Sequence, residues 1–253
     1  MLFLAFPSRS LVLSAVRHSS LPRLHPFRRV LPGCAVIAKF HMSQQDQAPK
    51  ITSISDLPTS EAKWVELKKI DYTDQTGRDR VWEVASRKTR GKSGVDAVAI
   101  GTIILHPSRP PSTILVLQYR PPVDATTVEW PAGLIDANES PEEAAIRELR
   151  EETGYSGRVL DLSPTIASDP GMTTANMQLA MVEVRLNEGD EEPEQHLDDG
   201  EHIQRVVVPL DELYEKLLAY SKQEGIMVSA KLFHWAAGLY FAKQRLPAMK
   251  QRF

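Results

Sequence analysis

Residues 133–155 read GLIDANESPEEAAIRELREETGY, and the rest of the chain is best understood outward from them. Glu148, Glu151 and Glu152 stand at i, i+3 and i+4, so on a helix all three carboxylates leave from one face. Like charges at that spacing cost a bare helix about a few tenths of a kcal/mol per pair, so a cation is expected to offset them. A hard divalent metal is the natural candidate. The helix is signalled at both ends. Ser140 can N-cap it, Pro141 suits the first helical position, Glu143 completes a capping box, and Gly154 supplies the stop. Ala144, Ala145, Ile146 and Leu149 give it an apolar side. Residues 131–138 lack a helical apolar period and read as a loop, with Gly133 available for an unusual backbone angle.

Gly133, then Glu139 after five residues, then after seven more the run Arg147-Glu148-Leu149-Arg150-Glu151-Glu152-Thr153-Gly154, resemble the signature of the Nudix hydrolases. Tyr155 stands where that family usually carries an aliphatic residue, a change of packing rather than of chemistry. Gln118-Tyr119-Arg120-Pro121-Pro122, Glu129-Trp130-Pro131-Ala132-Gly133 and Asp169-Pro170-Gly171 further resemble its ADP-ribose and ADP-sugar pyrophosphatase branch. The resemblance covers most of the chain beyond the first sixty residues.

The resemblance implies Mg²⁺-dependent cleavage of ADP-ribose, or a related ADP-sugar, to AMP and a sugar phosphate such as ribose 5-phosphate, with Mn²⁺ as a substitute metal. Glu148 and Glu152 become the principal metal ligands, Glu151 a further ligand or water-orienting group, and the backbone carbonyl at Ala132 another donor. Arg147, four residues before Glu151, is placed to hold that carboxylate. Glu139 falls before the N-cap and reads as structural. In this branch a glutamate in a loop after the signature acts as general base, and Glu201, in Asp198-Asp199-Gly200-Glu201, occupies that place. Residues 187–201 contain eight acidic residues, so a solvated acidic loop is the plainer alternative. The branch also sandwiches adenine between aromatics of an N-terminal sheet, one from each subunit of a homodimer with exchanged strands. Trp64 and Trp82 are the candidates, although strand tryptophans also serve as core or interface filler. Arg87 and Arg120 would meet phosphate or the terminal ribose, with a solvated charge the alternative for Arg87. Asp169, Gly171 and Met172 would line the site near that ribose, or simply form a polar turn.

Composition sets the outer limits. With 253 residues and 42% apolar content there is room for one sizeable domain and an appendage. Residues 1–45 hold six Lys and Arg and no Asp or Glu, leaving 24 basic against 33 acidic residues in the remainder. An acidic body argues against a broad nucleic-acid surface, and so against RNA decapping. In residues 1–45, Arg9, Arg17, Arg23, Arg28 and Arg29 alternate with Leu, Val, Phe and Ser, the composition of a mitochondrial targeting segment; a disordered basic tail is the alternative. The apolar runs there are too short to span a bilayer. Met42 offers a second start, and with it a cytosolic or nuclear product. Cys34 is the only cysteine, which leaves the folded body without disulfides or thiolate zinc sites.

Residues 46–60 read as a linker and residues 61–92 as N-terminal antiparallel strands: 63–72 and 81–87 around an Asp74-Gln75-Thr76-Gly77 turn. Residues 93–253 form the main domain, with strands expected over 95–105, 114–119, 127–130, 158–162, 177–184 and 202–208, and later helices over 210–220 and 229–243. The expected class is α/β (α+β), a mixed sheet sandwiched between helices, as the Nudix fold would be. Two other functions compete: hydrolysis of a different nucleoside diphosphate derivative, and non-catalytic binding of ADP-ribose.

Overall fold

Two of the central strands are almost continuously apolar, the pattern of strands covered on both faces. These are β3 (Ala97–Leu105) and β4 (Ser112–Arg120). The computed structural model describes residues 48–250 other than Thr89, with side chains described as far as Gln244. The expected targeting segment and Cys34 lie outside the described residues.

The remaining elements arrange themselves around β3 and β4. The strands β5 (Ala125–Glu129), β6 (Ala132–Leu134), β7 (Arg158–Leu162), β8 (Ile166–Ala167), β9 (Asn176–Arg185), β10 (Gln204–Pro209) and β11 (Ile226–Val228) complete a nine-stranded sheet. Its main path runs β11-β5-β4-β3-β9-β7, with β10 on β4, β6 on β3 and β8 on β9. The β3–β9 and β11–β5 pairs are parallel and the others antiparallel. The sheet is therefore mixed, as expected.

Side-chain alternation along β4 splits the core in two. Ile114 joins Val98, Ile100 and Val182 beneath α1 (Pro141–Thr153), which contributes Ala144, Ala145 and Leu149. Leu115 and Leu117 face the other way, onto Leu213 and Leu217 of α2 (Leu213–Tyr220) and Leu232 and Ala236 of α3 (Ala230–Lys250). Helices thus cover both faces. Leu149 is fully buried, a transfer contribution of about 2 kcal/mol.

Three strands were invisible in the sequence: β6, β8 and β11. Each has two or three residues, too few to display alternation, and each exists because a long neighbour offers unpaired backbone groups. β6 replaces the first part of the expected loop over residues 131–138, and residues 135–138 remain loop and turn. Gly133 pairs with Val98 inside it and does not have positive φ, so the unusual backbone angle expected there is absent.

The N-terminal strands β1 (Val65–Thr73) and β2 (Asp79–Arg87) form a separate antiparallel pair. Asp74 organises the turn by accepting from the Thr76 hydroxyl and from the backbone N–H groups of Thr76 and Arg78; the Thr76 hydroxyl first, then Arg80 and the backbone donors, hold its carboxyl far below the usual range. A two-stranded hairpin is marginal alone. β2 gains support from the loop before β9: Ala85 N–H donates to Met172 O at 3.0 Å, and Thr174 N–H donates to Ala85 O at 3.0 Å.

Candidate active site

The helix that carries the acidic face forms for local reasons. Ser140 Oγ accepts from Glu143 N–H, Glu143 in turn accepts from Ser140 N–H at 2.8 Å, and Gly154 ends the helix at φ +76°. Both caps are those expected from the sequence. The apolar side of α1 then seats on β3 and β9, which rolls Glu148 and Glu152 inward to the edge of β6.

Arg147 is the hub of the acidic face. Its guanidinium donates twice to Glu139, at 2.8 Å each, and also to Glu148 Oε1 at 2.8 Å, Glu151 Oε2 at 3.0 Å and Leu134 O at 3.0 Å. One cation therefore ties the loop before the helix to two of its carboxylates, a charge-assisted arrangement stronger than neutral hydrogen bonds. The hydrogen bonds from Arg147 hold Glu139 below the usual carboxylate range and raise the guanidinium's own proton affinity. Glu139 faces Arg147, consistent with a role in holding loop to helix.

Glu152 is only 3% exposed, and it accepts from Ala132 N–H at 3.1 Å. Burial pushes its pKa up to about 8, with the charges of Glu148 and Glu201 adding to the effect and the Ala132 N–H and Arg120 opposing it. Burial also pushes Glu148 up; Arg147 opposes this, while Glu151 and Glu201 reinforce it. The charge of sequence-distant Glu201 thus reaches both inward carboxylates of α1. Glu201 sits in a tight turn with Gly200 at φ +85°, and its Oε2 accepts from Asp198 N–H at 3.1 Å.

Gly133 provides the space for the Glu148 carboxylate. A Cβ on it would lie 1.8 Å from Glu148 Oε1 and 2.4 Å from Oε2. The carboxylate occupies the place where any larger residue would put its side chain.

Among the described residues, no three Asp, Glu, His or Cys side chains stand together as a ready-made ligand set. The reason is visible in the contacts: Arg147 engages Glu148 and Glu151, and Glu152 is turned to the Ala132 N–H. The expected set of Ala132, Glu148, Glu151 and Glu152 is therefore not assembled as one cage. The donor chemistry nevertheless fits a divalent cation. Glu148 and Glu152 are hard oxygen donors, desolvated and mutually repelling, with the charge of Glu201 adding to the repulsion, so a cation would replace the protons that burial favours.

Other expected residues fall into two groups. Arg120 lies close enough to Glu152 to influence it, but its Nε donates to Glu129 Oε1 at 2.8 Å, so it is ion-paired rather than a free cation. Thr127 Oγ1 also donates to Glu129. Trp82 Nε1–H donates to Gly171 O at 3.1 Å, which joins the Trp82 strand to the Asp169–Met172 turn. Arg87, at the end of β2, is half-buried; burial pushes the Asp96 carboxyl up, the Arg90 hydrogen bonds help pull it below the usual range, and the charge of Arg87 adds a smaller pull in the same direction. Trp64 and Trp82 are exposed and do not meet: Lys88 lies opposite Trp64 and Ile70 opposite Trp82. Six residues of strand separate them, roughly 20 Å. A groove of about 860 Å³ runs beside α1 against Ile146, Arg147, Glu151, Arg158 and His196; it touches the acidic face only at Arg147 and Glu151.

Sequence reasoning did not find Gln195 or Arg205. Both fasten the Glu201 loop to the end of α1, and neither belongs to a local pattern.

The NUDIX domain matches residues 96–229. The chain is 42% identical to an uncharacterised Nudix hydrolase of Schizosaccharomyces pombe, over 78% of this chain and 95% of that protein. It is also 42% identical to the ADP-ribose pyrophosphatase of Saccharomyces cerevisiae, over 74% and 81%, and 35% identical to the ADP-sugar pyrophosphatase of Mus musculus, over 74% and 86%. The chain belongs to the Nudix family, and it is a Nudix hydrolase whose chemistry uses a divalent metal ion.

Proposed function

We propose that this protein hydrolyses the diphosphate bond of ADP-ribose, or of a closely related ADP-sugar, to AMP and ribose 5-phosphate or the corresponding sugar phosphate, with Mg²⁺ and with Mn²⁺ as a substitute. The observation that carries the reading is the pair of inward, desolvated carboxylates Glu148 and Glu152 packed against Gly133 and the Ala132 N–H, in a chain similar over most of its length to an ADP-ribose pyrophosphatase and an ADP-sugar pyrophosphatase.

A diphosphate resists water because its charged oxygens repel the nucleophile, so catalysis is chiefly neutralisation and positioning. Glu148 and Glu152 would hold the metal, with the Ala132 backbone beside them and Glu151 available once Arg147 releases it. When bound, a divalent cation neutralises the diphosphate oxygens and makes water easier to deprotonate. Glu201 accepts the proton of the attacking water as its oxygen bonds to phosphorus and the other phosphate departs. Arg147 keeps the acidic face in register through Glu139, Glu148 and Glu151. Arg120 supplies positive charge at the same edge, exchanging part of its pairing with Glu129 for substrate phosphate.

A homodimer with exchanged N-terminal strands belongs to this reading. Stacked rings must lie within about 7 Å of each other. Two tryptophans roughly 20 Å apart on one hairpin cannot close on a single adenine, whereas Trp64 of one copy and Trp82 of another can. The exposed Leu67, Val81 and Tyr72 supply apolar surface for that contact. Mitochondrial delivery rests on the composition of residues 1–45 alone, with the shorter product from Met42 remaining in the cytosol or nucleus.

The deciding experiment is incubation with ADP-ribose and Mg²⁺ and identification of the products. AMP and ribose 5-phosphate in equal amounts, abolished by chelation, are expected. Tight binding without metal-dependent AMP release overturns the proposal in favour of a binding module, and preferential cleavage of another nucleoside diphosphate derivative overturns the substrate assignment. For location, a tagged full-length protein found only in the cytosol, uncleaved around residue 40, removes the mitochondrial part.

A further inference from the structure

The chain from β9 to β10 makes a long acidic excursion, and Glu201 sits near its far end. Such a loop is expected to wander unless its backbone is tied down. Here it is tied directly to the last turn of α1. His196 N–H donates to Glu151 O at 2.9 Å, so the loop bonds to the backbone of one acidic residue. Gln195 Nε2 donates both to Glu152 O at 2.5 Å and to Ile203 O at 3.1 Å. A single amide thereby joins the helix to both ends of segment 195–203, the segment that contains Glu201. Since both neighbours are carbonyl oxygens, only the donor end of that amide fits between them.

A second tie backs the first. Arg205, only 10% exposed in its side chain, donates to Thr153 O and to Pro193 O, and its guanidinium lies 5.2 Å from the centroid of the Tyr155 ring. This accounts for a tyrosine where the family usually has an aliphatic residue: the aromatic face receives the cation that holds the loop. At Gly154 a Cβ would lie 2.2 Å from Glu194 O, so the loop backbone rests directly on the helix stop.

We propose that Gln195 is a positioning residue for hydrolysis: by bridging the Glu152 and Ile203 carbonyls it sets where Glu201 stands relative to Glu148 and Glu152. This rests on the hydrolase reading above and on Glu201 as the proton acceptor. Arg205 and Tyr155 hold the base of the loop, while Gln195 fixes the segment that bears the base.

The test is Gln195→Met, which keeps the length of the side chain and removes both donors, made in the wild-type background and in Glu201→Gln. In the wild-type background kcat is expected to fall on the order of 10²-fold with KM little changed, because misplacing a reacting group by about 1 Å costs that much. Amide hydrogens of residues 198–203 should exchange faster. In the Glu201→Gln background the same change should have no further effect on kcat. An equal loss in both backgrounds means Gln195 acts on the helix at large and overturns the proposal; so does an unchanged kcat, and so does a Glu201→Gln protein that is fully active. Gln195→Asn retains the donors but is one methylene too short to span both carbonyls; it should fall between the wild type and Gln195→Met, and a folded Gln195→Asn with wild-type rate and exchange also overturns the proposal. If the wild type releases no AMP from ADP-ribose, the hydrolase reading fails on its own, and unchanged loop exchange in Gln195→Met separately refutes the bridge.

Discussion

Replacing Gly133 with alanine isolates the geometry of the acidic face from the stability of the fold. Its φ lies outside the left-handed region, so alanine is acceptable to the backbone, and the nearest obstacle is the Glu148 carboxylate. Moving Oε1 from 1.8 Å to an ordinary contact of 3.4 Å displaces it by about 1.6 Å, a misplacement that costs on the order of 10²-fold in rate. The displaced carboxylate also loses its 2.8 Å bond from Arg147, a half-buried charge-assisted contact worth about 1.5–3 kcal/mol before solvent screening. Alanine returns roughly 0.5–1 kcal/mol by restricting the unfolded chain. We therefore expect a folded protein destabilised by about 1 kcal/mol and at least 10²-fold slower. In a Glu148→Ala background the obstacle is gone, and Gly133→Ala should become neutral or slightly stabilising, a coupling of about 1–3 kcal/mol between the two sites. Urea unfolding of the four proteins of the cycle and metal-dependent AMP release measure both quantities. Full activity in Gly133→Ala, or the same stability loss with and without Glu148, would refute the reasoning.

The remaining predictions concern charge, packing and assembly. Glu152 keeps a proton to about pH 8 when folded but releases it near 4.5 when unfolded, so its contribution is present below about pH 4.5 and is lost as pH rises to 8. With metal chelated, thermal stability should fall across that window by up to a few kcal/mol, and Glu152→Gln should flatten the slope while abolishing turnover. Thermal melts at several pH values check it. Leu149→Ala removes a fully buried side chain beneath the acidic face and should cost about 2–5 kcal/mol in urea unfolding. Arg90→Ala strips the bidentate partner from Asp96, whose side chain is 1% exposed, and should cost about 3 kcal/mol by the same measurement. Trp64→Ala should raise KM for ADP-ribose more than it lowers kcat, and sizing of the wild type should give a dimer; a fully active monomer contradicts the shared adenine pocket.

Much of this protein is written locally. Ser140, Pro141, Glu143 and Gly154 determine α1 by themselves, because capping is a matter of hydrogen bonds within a few residues, and the strict spacing of Glu148, Glu151 and Glu152 then fixes which face is acidic. The longer strands were legible for the same reason: alternation over many residues states which side faces the core. What the tertiary structure alone decided are the contacts between segments far apart in the chain. Gly133 read as a loop residue available for an unusual backbone angle and is clearance for a side chain on α1; Arg147 read as a holder of Glu151 and is chiefly the anchor of Glu139. The short strand β6 exists only because β3 lends it hydrogen-bond partners, and Gln195 and Arg205 matter only because chain closure brings their donors to the orphan carbonyls at the end of α1. Helix periodicity and caps are short-range and can be read residue by residue, whereas carbonyl groups left over at a helix end are satisfied by whatever the fold delivers there, and no local pattern announces which residue that will be.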